Sequence, residues 1–160
     1  MTPEELVQHL GLQPHPEGGF YRETYRSSER VICADGLNRS ASTAIYYLLC
    51  NGAYSTWHRI RSDETWHFHA GTELHVHELL PGGELRTHRL GADPSETVFQ
   101  ATVQAGNWFA AELAHPSSFA LVGCTVAPGF EFSEFELAET ELLLRTYPAH
   151  DALIKQLART

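Results

Sequence analysis

Residues 52–71 read GAYSTWHRIRSDETWHFHAG, and the spacing of their glycines and ionisable residues decides the fold assignment. Successive side chains of a β-strand point to opposite faces, so residues two positions apart share a face. A strand through ETWHF therefore places Glu64, Trp66 and Phe68 on one face and His67 and His69 on the other. The stretch predicts that its ionisable side chains are divided between the inside and the outside of a sheet structure.

The same alternation divides the histidines on either side of this strand. His58 shares a face with Ile60, and in ELHVHEL the apolar Val76 leaves His75 and His77 on the opposite face. We expect His58 to lie in an interior pocket with Glu64. The other histidines of the stretch are expected on an outer strand face or at a subunit interface.

The remainder of the chain is rich in strand signals. Segments with β-branched, aromatic or alternating residues are FYRETYR, ASTAIYYLLC, ETWHF, ELHVHELL, LRTHRL, TVFQATV, NWFAAEL and FALVGCTVA. Turn residues separate them, such as PGG at 81–83 and APG at 127–129. About eight short strands without intervening helices predict an all-β sandwich or jelly-roll barrel. We expect a single domain over residues 1–160, with the barrel core at roughly 15–140.

Two short helices are predicted, one at each end of the chain. Thr2 and Glu5 form a capping box, Pro3 suits the first helical position, and Gly11 ends the helix. The second helix is predicted in HDALIKQLA at 150–158, where apolar residues cluster. No third helix is predicted.

Composition disfavours several classes of partner. Acidic residues outnumber basic ones by 20 to 11, for a formal charge of −9, which disfavours binding to nucleic acid or anionic membranes. No apolar run is long enough to span a bilayer, and the N-terminus lacks the pattern of a signal peptide. Cys33, Cys50 and Cys124 are scattered and odd in number, which favours reduced thiols and a cytoplasmic location.

The spacing within residues 52–71 resembles the first motif of the cupin superfamily. Gly52, His58, Glu64 and Gly71 match that motif, while Ile60 stands where it has a second histidine. The second cupin motif resembles residues 104–109, where the glycine is kept but phenylalanine, Phe109, replaces the histidine. The resemblance implies a double-stranded β-helix barrel of the cupin type.

Four segments carry a closer resemblance to the small bacterial and fungal cupins of unknown function. They are HPEGGFYRETYRS, SDETWHFHAG, AGNWFAAEL and LVGCTVAPGFEFSEFELA. That subgroup is similar to sugar epimerases and to germin-type and seed-storage cupins. The resemblance implies the fold and a homodimer, and it implies no particular reaction.

Two of the four usual cupin ligand positions carry residues that do not bind metals. A catalytic zinc or iron site normally needs about three protein ligands, whereas only His58 and Glu64 remain here. We therefore expect no metal. A bulge near Trp66 would turn His67 inward and supply a third ligand, so a divalent metal stays open as an alternative.

A His–Glu pair in an aromatic pocket suggests acid–base chemistry on a small polar ligand. Neutral imidazole is suited to general-base work near neutral pH, with Glu64 orienting His58. Sugar epimerases of similar fold pair such a histidine with a tyrosine acid, which implies that Tyr46 or Tyr47 supplies the phenol. Trp66, Phe68, Phe109 and Tyr46 are the candidate ligand-contacting aromatics, although core packing explains such residues equally well.

Three functions follow from this pattern. The first is an epimerase or isomerase that binds a carbohydrate or nucleotide-sugar-like ligand, with His58, Glu64 and Tyr47 as catalytic residues. The second is a metal-dependent cupin enzyme that uses His58, Glu64 and another ligand. The third is a non-catalytic, ligand-binding or storage-like module.

Overall fold

The computed structural model describes residues 1–159, which form a predominantly β structure with short helices near its ends. The helices are α1 (Pro3–Leu10), α2 (Thr140–Thr146) and α3 (Asp151–Gln156), with single 3₁₀ turns at Phe132–Glu134 and Pro148–His150. The strands are β1 (Gln13–Pro14), β2 (Phe20–Arg26), β3 (Arg30–Ile32), β4 (Asn38–Ser40), β5 (Thr43–Cys50), β6 (Ser55–Arg59), β7 (Asp63–Gly71), β8 (Leu74–Leu79), β9 (Leu85–Leu90), β10 (Gln100–Val103), β11 (Trp108–Leu113), β12 (Phe119–Ala127) and β13 (Glu136–Leu137).

Two antiparallel sheets face each other and enclose the main core. One has the order β1-β2-β5-β12-β7-β10 and the other β13-β6-β11-β8-β9, while β3 and β4 form a separate ribbon. Side chains such as Tyr47, Trp66, Val76 and Phe109 meet in the space between the sheets. The predicted all-β jelly-roll architecture is confirmed.

Each predicted strand segment contains an observed strand, and further strands join them. Strand β6, which carries His58, and the two- or three-residue strands β1, β3, β4 and β13 were not among the eight predicted segments. Strands this short give almost no periodic signal, because two or three residues cannot establish an alternation.

Helix α1 begins and ends as the sequence predicts. Both hydrogen bonds of the Thr2–Glu5 capping box are present, and Gly11 closes the helix in the left-handed conformation with φ 65°. Leu6, Val7 and Leu10 pack on the outer face of the six-stranded sheet. The capping box and the apolar side of the helix therefore act together to fix its position.

The C-terminal region contains one helix more than predicted. Helix α3 confirms the prediction, but the segment before it forms α2, so the expectation of no third helix is wrong. The residue that caps α2, Glu139, makes no side-chain capping bond, and within α2 only Leu143 is buried. Leu143 packs with Ile154 against Trp57, so tertiary burial stabilises a helix whose local signals are weak.

Candidate active site

A cavity of about 350 Å³ opens between the two sheets and is partly covered by the segment that follows β12. Its wall is formed by strands β2, β5, β6, β7 and β12, by the turn before β2, and by residues 130–135. The polar wall residues central to the chemistry are His15, Glu17, Tyr21, His58, Glu64 and Cys124. The cavity therefore combines an apolar wall with a few clustered ionisable groups, as small-molecule sites do.

His58 lines the cavity, and contacts to its ring and to both ring nitrogens fix its position. Its ring is 2% exposed and packs between Phe109 and Phe135, with centroids 4.0 and 5.2 Å away. Its Nδ1 lies 2.7 Å from the carbonyl oxygen of Thr56, and its Nε2 lies 2.8 Å from Oε2 of Glu17. Because a carbonyl oxygen only accepts, Nδ1 carries a proton and Nε2 is left to interact with Glu17.

Glu17 reaches His58 because the turn HPEGG packs against strands β5 and β6. The amide of Thr56 donates to the carbonyl of Glu17 at 3.0 Å. Gly18 has φ 111°, and a side chain there would collide with the carbonyl of Tyr54, so only glycine fits. Tyr47 donates its hydroxyl proton to the Gly18 carbonyl. These contacts place the Glu17 carboxylate beneath His58.

His58 and Glu17 form a buried ion pair. Burial alone would raise the pKa of Glu17, but the charge of His58 and its hydrogen bond hold that pKa below the ordinary value. Burial likewise opposes the charge of His58, yet the charge and hydrogen bond of Glu17 raise its pKa. The hydroxyl of Ser55 also donates to the Glu17 carboxylate. Each member of the pair therefore favours the charged form of the other.

Glu64 is the least constrained ionisable group in the cavity. Within residues 1–159 its carboxyl group forms no ion pair, and the indole of Trp66 is the side chain that lowers its pKa by a hydrogen bond. Burial, and then the negative charge of Glu17, raise the pKa of Glu64 to about 7. A carboxyl group of this kind exchanges a proton near physiological pH, as general acid–base catalysis requires.

His15 and Tyr21 add two further polar groups to the wall. Nδ1 of His15 lies 3.3 Å from Oε1 of Glu17 and accepts the backbone N–H of Glu17 at 3.1 Å, so Nε2 carries the proton in the neutral ring. Burial lowers the pKa of His15, which favours that neutral form. The rings of His15 and Tyr21 meet edge to face at 4.5 Å. Both groups lie in the stretch that also supplies Glu17.

The predicted inward placement of His58 and Glu64 is confirmed, whereas the predicted aromatic contacts lie elsewhere. Tyr47, Trp66, Phe68 and Phe109 pack in the main core rather than on the cavity wall. The hydroxyl of Tyr47 is used to hold the HPEGG turn, and burial raises its pKa well above the ordinary value. These four side chains lie behind the cavity wall, so they do not contact a ligand in the cavity directly. The prediction that they form catalytic or binding contacts there is corrected.

Tyr46 lies on the outer face of the six-stranded sheet and cannot contact a ligand in the cavity. It packs with the α1 cluster and against His69, at a centroid distance of 6.2 Å. Its placement among the ligand contacts is therefore wrong, because adjacent residues of β5 point to opposite faces. Tyr21 is the tyrosine that lines the cavity.

The outer histidines follow the predicted alternation. Trp66 pairs in register with Cys124, and the irregularity between β7 and β12 falls beyond it, between the pairs Phe68–Val122 and Ala70–Leu121. His67 consequently points outward, with Nε2 2.9 Å from the hydroxyl of Thr125. The bulge that would have turned His67 inward does not occur at Trp66.

The side chains present do not fit a metal site of the usual cupin kind. Ile60 and Phe109 offer no donor atoms at two of the motif positions, and Glu17 occupies Nε2 of His58. Across residues 1–159, no group of three or more His, Cys, Asp or Glu side chains is arranged to hold a metal ion. The alternative that combined His58, Glu64 and His67 lacks its third ligand, since His67 lies outside the barrel.

Sequence reasoning missed three residues of the site: His15, Glu17 and Tyr21. All three fall in HPEGGFYRE at 15–23, where the glycines were explained by a turn alone. A signal was available, because two adjacent glycines mark a tight turn, which fixes the position of the glutamate before it. The sequence could not show that His58 is the partner of this glutamate, because His58 lies on a different strand.

Protonation of Glu64 makes the stability of the fold depend on pH. The folded-state pKa of about 7 exceeds the ordinary value of 4.5, so between these values the folded chain binds more protons than the unfolded chain. The free energy of unfolding therefore falls as pH rises from 5 to 8, by up to about 3 kcal/mol from this group.

Urea denaturation of the wild type and of Glu64→Gln at pH 5 and at pH 8 measures the contribution of Glu64 to the free energy of unfolding. The variant is expected to lose less stability than the wild type over this range. The other groups facing Glu64, which are Glu17, His58, Cys124 and Tyr47, remain in both proteins. Equal losses in the two proteins would contradict the raised pKa.

Comparisons with known proteins agree with the architecture. The family model described as cupin superfamily (DUF985) matches residues 4–138. A hypothetical protein from Leishmania major is 36% identical over the whole of both chains, with a TM-score of 0.94. A protein from Shewanella oneidensis is 39% identical over 99% of this chain and 98% of its own, with a TM-score of 0.90.

More distant structures share the fold alone. Oxalate decarboxylase from Bacillus subtilis, which is described with Mn(II) centres, is 13% identical over 91% of this chain and 37% of its own. Its TM-score is 0.58. No curated protein matches the chain. Within residues 1–159, no helix has the length and apolar character needed to cross a membrane.

Proposed function

Since the chain belongs to the cupin superfamily, in the family designated DUF985, we propose that it is an acid–base enzyme of the isomerase or epimerase type. Its substrate is a small polar molecule, carbohydrate-like in character, held in the cavity. Glu64 exchanges the proton with the substrate. His58 and Glu17 form a charged pair that maintains the electrostatics of the site. The homodimer and the cytoplasmic location stay predictions.

The observation that carries this proposal is the carboxyl group of Glu64. Its side chain is partly buried on the cavity wall and forms no ion pair among residues 1–159, and its pKa is raised to about 7. A carboxyl group that is withdrawn from water without a cation partner costs stability, and this cost supports a functional role for Glu64. His58 is less suited to remove a proton, because both of its ring nitrogens are already engaged.

In the proposed step, the Glu64 carboxylate accepts a proton from a carbon next to a substrate carbonyl. The C–H electron pair forms a new carbon–carbon π bond, and the carbonyl π pair moves onto oxygen to give an enediolate. Protonated Glu64 then returns its proton to the former carbonyl carbon, while the proton of the hydroxyl on the neighbouring carbon passes to the former carbonyl oxygen and leaves a carbonyl in its place. The substrate is rearranged with no net gain or loss of atoms or electrons.

Proton exchange with solvent tests this proposal. The protein is incubated in D₂O with a panel of aldoses and ketoses, and the C–H signals next to each carbonyl are followed by ¹H NMR. We expect enzyme-dependent loss of such a signal for at least one sugar. Because the base must be ionised, the rate should rise about tenfold per pH unit below 7 and level off above it.

Two outcomes would contradict the proposal. One is deuterium incorporation that shows no pH dependence between 5 and 8. The other is a set of sugars that raise the melting temperature without exchanging any proton, which would favour the non-catalytic binding module instead.

A further inference from the structure

We infer that the cavity selects an uncharged ligand with hydroxyl or carbonyl oxygens and excludes anions, with His15 and Tyr21 as its specificity-determining contacts. This inference rests on the proposed function and concerns the same cavity. It narrows the substrate class, because sugar phosphates, nucleotide sugars and carboxylates are anions. Four features of the wall carry it.

The first feature is that each cation on the wall is already paired. Nε2 of His58 lies 2.8 Å from the carboxylate of Glu17. Arg26 lies 2.7 Å from Glu23 and 3.2 Å from Glu131, and it also donates to the carbonyl of Phe130 at 2.9 Å. An incoming phosphate or carboxylate would have to break one of these pairs before it found a positive partner.

The second feature is an excess of negative groups. Glu17, Glu23 and Glu64 line the cavity, against His58 and Arg26 as its cations. Glu17 and Glu23 are paired with these cations, so an anion that enters the cavity meets the unneutralised carboxylate of Glu64 and pays both a desolvation cost and a repulsion. The protein as a whole carries a formal charge of −9, so the long-range field adds to this repulsion.

The third feature is a pair of neutral hydrogen-bonding groups. The His15 side chain is 5% exposed, and its Nδ1 already accepts the amide of Glu17, so Nε2–H is the donor that is left over. His15 and Tyr21 both line the cavity, and neither this N–H nor the hydroxyl of Tyr21 is used in a hydrogen bond with another part of residues 1–159. Two neutral groups suit an oxygen of a sugar or polyol, and they supply no charge to hold an anion.

The fourth feature is the aromatic cover. Phe132 is half-exposed and packs on Tyr21 and His15, with centroids 6.2 and 6.0 Å away. Phe130 and Phe135 complete the cover. Aromatic faces pack well on the apolar side of a sugar ring. A volume of about 350 Å³ lies at the small end of ligand sites and suits a monosaccharide rather than a nucleotide sugar.

Matched ligand pairs test the inference by the melting temperature of the whole protein. The neutral members are glucose, fructose and myo-inositol, and the anionic members are glucose 6-phosphate, fructose 6-phosphate, gluconate and inorganic phosphate. We expect a concentration-dependent rise with at least one neutral member and none with the anions. The inference is overturned if an anion stabilises the protein as much as its neutral partner, or if no neutral member does.

Variants then assign the contact to His15 and Tyr21. Tyr21→Phe and His15→Phe are each expected to weaken binding of the neutral ligand about tenfold, as loss of one hydrogen bond does. Tyr25→Phe is the matched control, because Tyr25 is an exposed tyrosine of β2 that does not line the cavity, and binding should not change. Unchanged affinity in both cavity variants would overturn the assignment.

Binding and turnover separate this inference from the proposed function. A neutral sugar that binds but exchanges no deuterium refutes the acid–base proposal and leaves the ligand class standing. A sugar phosphate that binds and exchanges refutes the ligand class and supports the acid–base proposal.

Discussion

Glu64→Gln is expected to lower the rate of proton exchange at a bound sugar by about a hundredfold or more at pH 7. Glutamine keeps the size of the side chain and its polar character, but its amide does not accept and return a proton in this range. The loss should appear in the turnover rate at saturating ligand rather than in affinity, because the group acts on the proton in transit. Deuterium incorporation followed by NMR measures it, with melting temperature to confirm that ligand still binds.

The matched control is Glu96→Gln, which makes the same chemical change on an exposed side chain whose nearest ion pair, with Arg89, spans 3.8 Å. Its exchange rate should equal that of the wild type. His58→Gln decides between the two possible bases. If Glu64→Gln stays active while His58→Gln loses the exchange completely, then the proton is handled by His58 and the assignment to Glu64 is wrong.

The fold was predictable because its signals are local. Alternation in β7 placed Glu64 on the inner face and His67 on the outer face, and the spacing of Gly52, His58 and Gly71 matched a known barrel motif. Such patterns depend only on the two-residue period of a strand and on turns that need glycine. They survive in the structure because no bulge interrupts β7 at Trp66.

The site was only half predictable because its key contact is not local. Glu17 reaches His58 through the packing of a turn against two strands, and no periodic pattern joins these residues. The choice of tyrosine failed for a related reason. Tyr21 pairs across β2 and β5 with Tyr47 and shares its face, but only Tyr21 stands at the cavity. Alternation predicts which face of the sheet a side chain occupies, but it does not predict whether that side chain reaches the cavity or is buried in the core behind it.

Glu17→Ala is expected to lower the free energy of unfolding by about 3–5 kcal/mol near pH 6. The change removes one member of a buried pair and leaves the ring of His58 without the carboxylate 2.8 Å from its Nε2. Glu23→Ala is the control, since it breaks the partly exposed pair with Arg26 and should cost less than about 1 kcal/mol. Urea denaturation of the three proteins measures the difference.

The pKa shifts of Glu17 and His58 determine how the stability lost in Glu17→Ala depends on pH. The pKa of Glu17 is lowered from 4.5, so its stabilising contribution is present above that value and is lost as pH falls through the folded-state pKa. The pKa of His58 is raised from 6.5, so its contribution is present below that value and is lost as pH rises through the folded-state pKa. The cost of removing Glu17 should therefore be greatest between about 4.5 and 6.5.

Glu17→Gln keeps the prediction testable if the alanine variant does not fold. Glutamine retains a hydrogen-bonding side chain but removes the charge that raises the pKa of His58, while the burial that lowers it remains. NMR titration of the ring should then show a lower pKa for His58 than in the wild type. A His58 that keeps its raised pKa in this variant would mean that its charge is held by another group, and Glu17 would not be the residue that sets the electrostatics of the cavity.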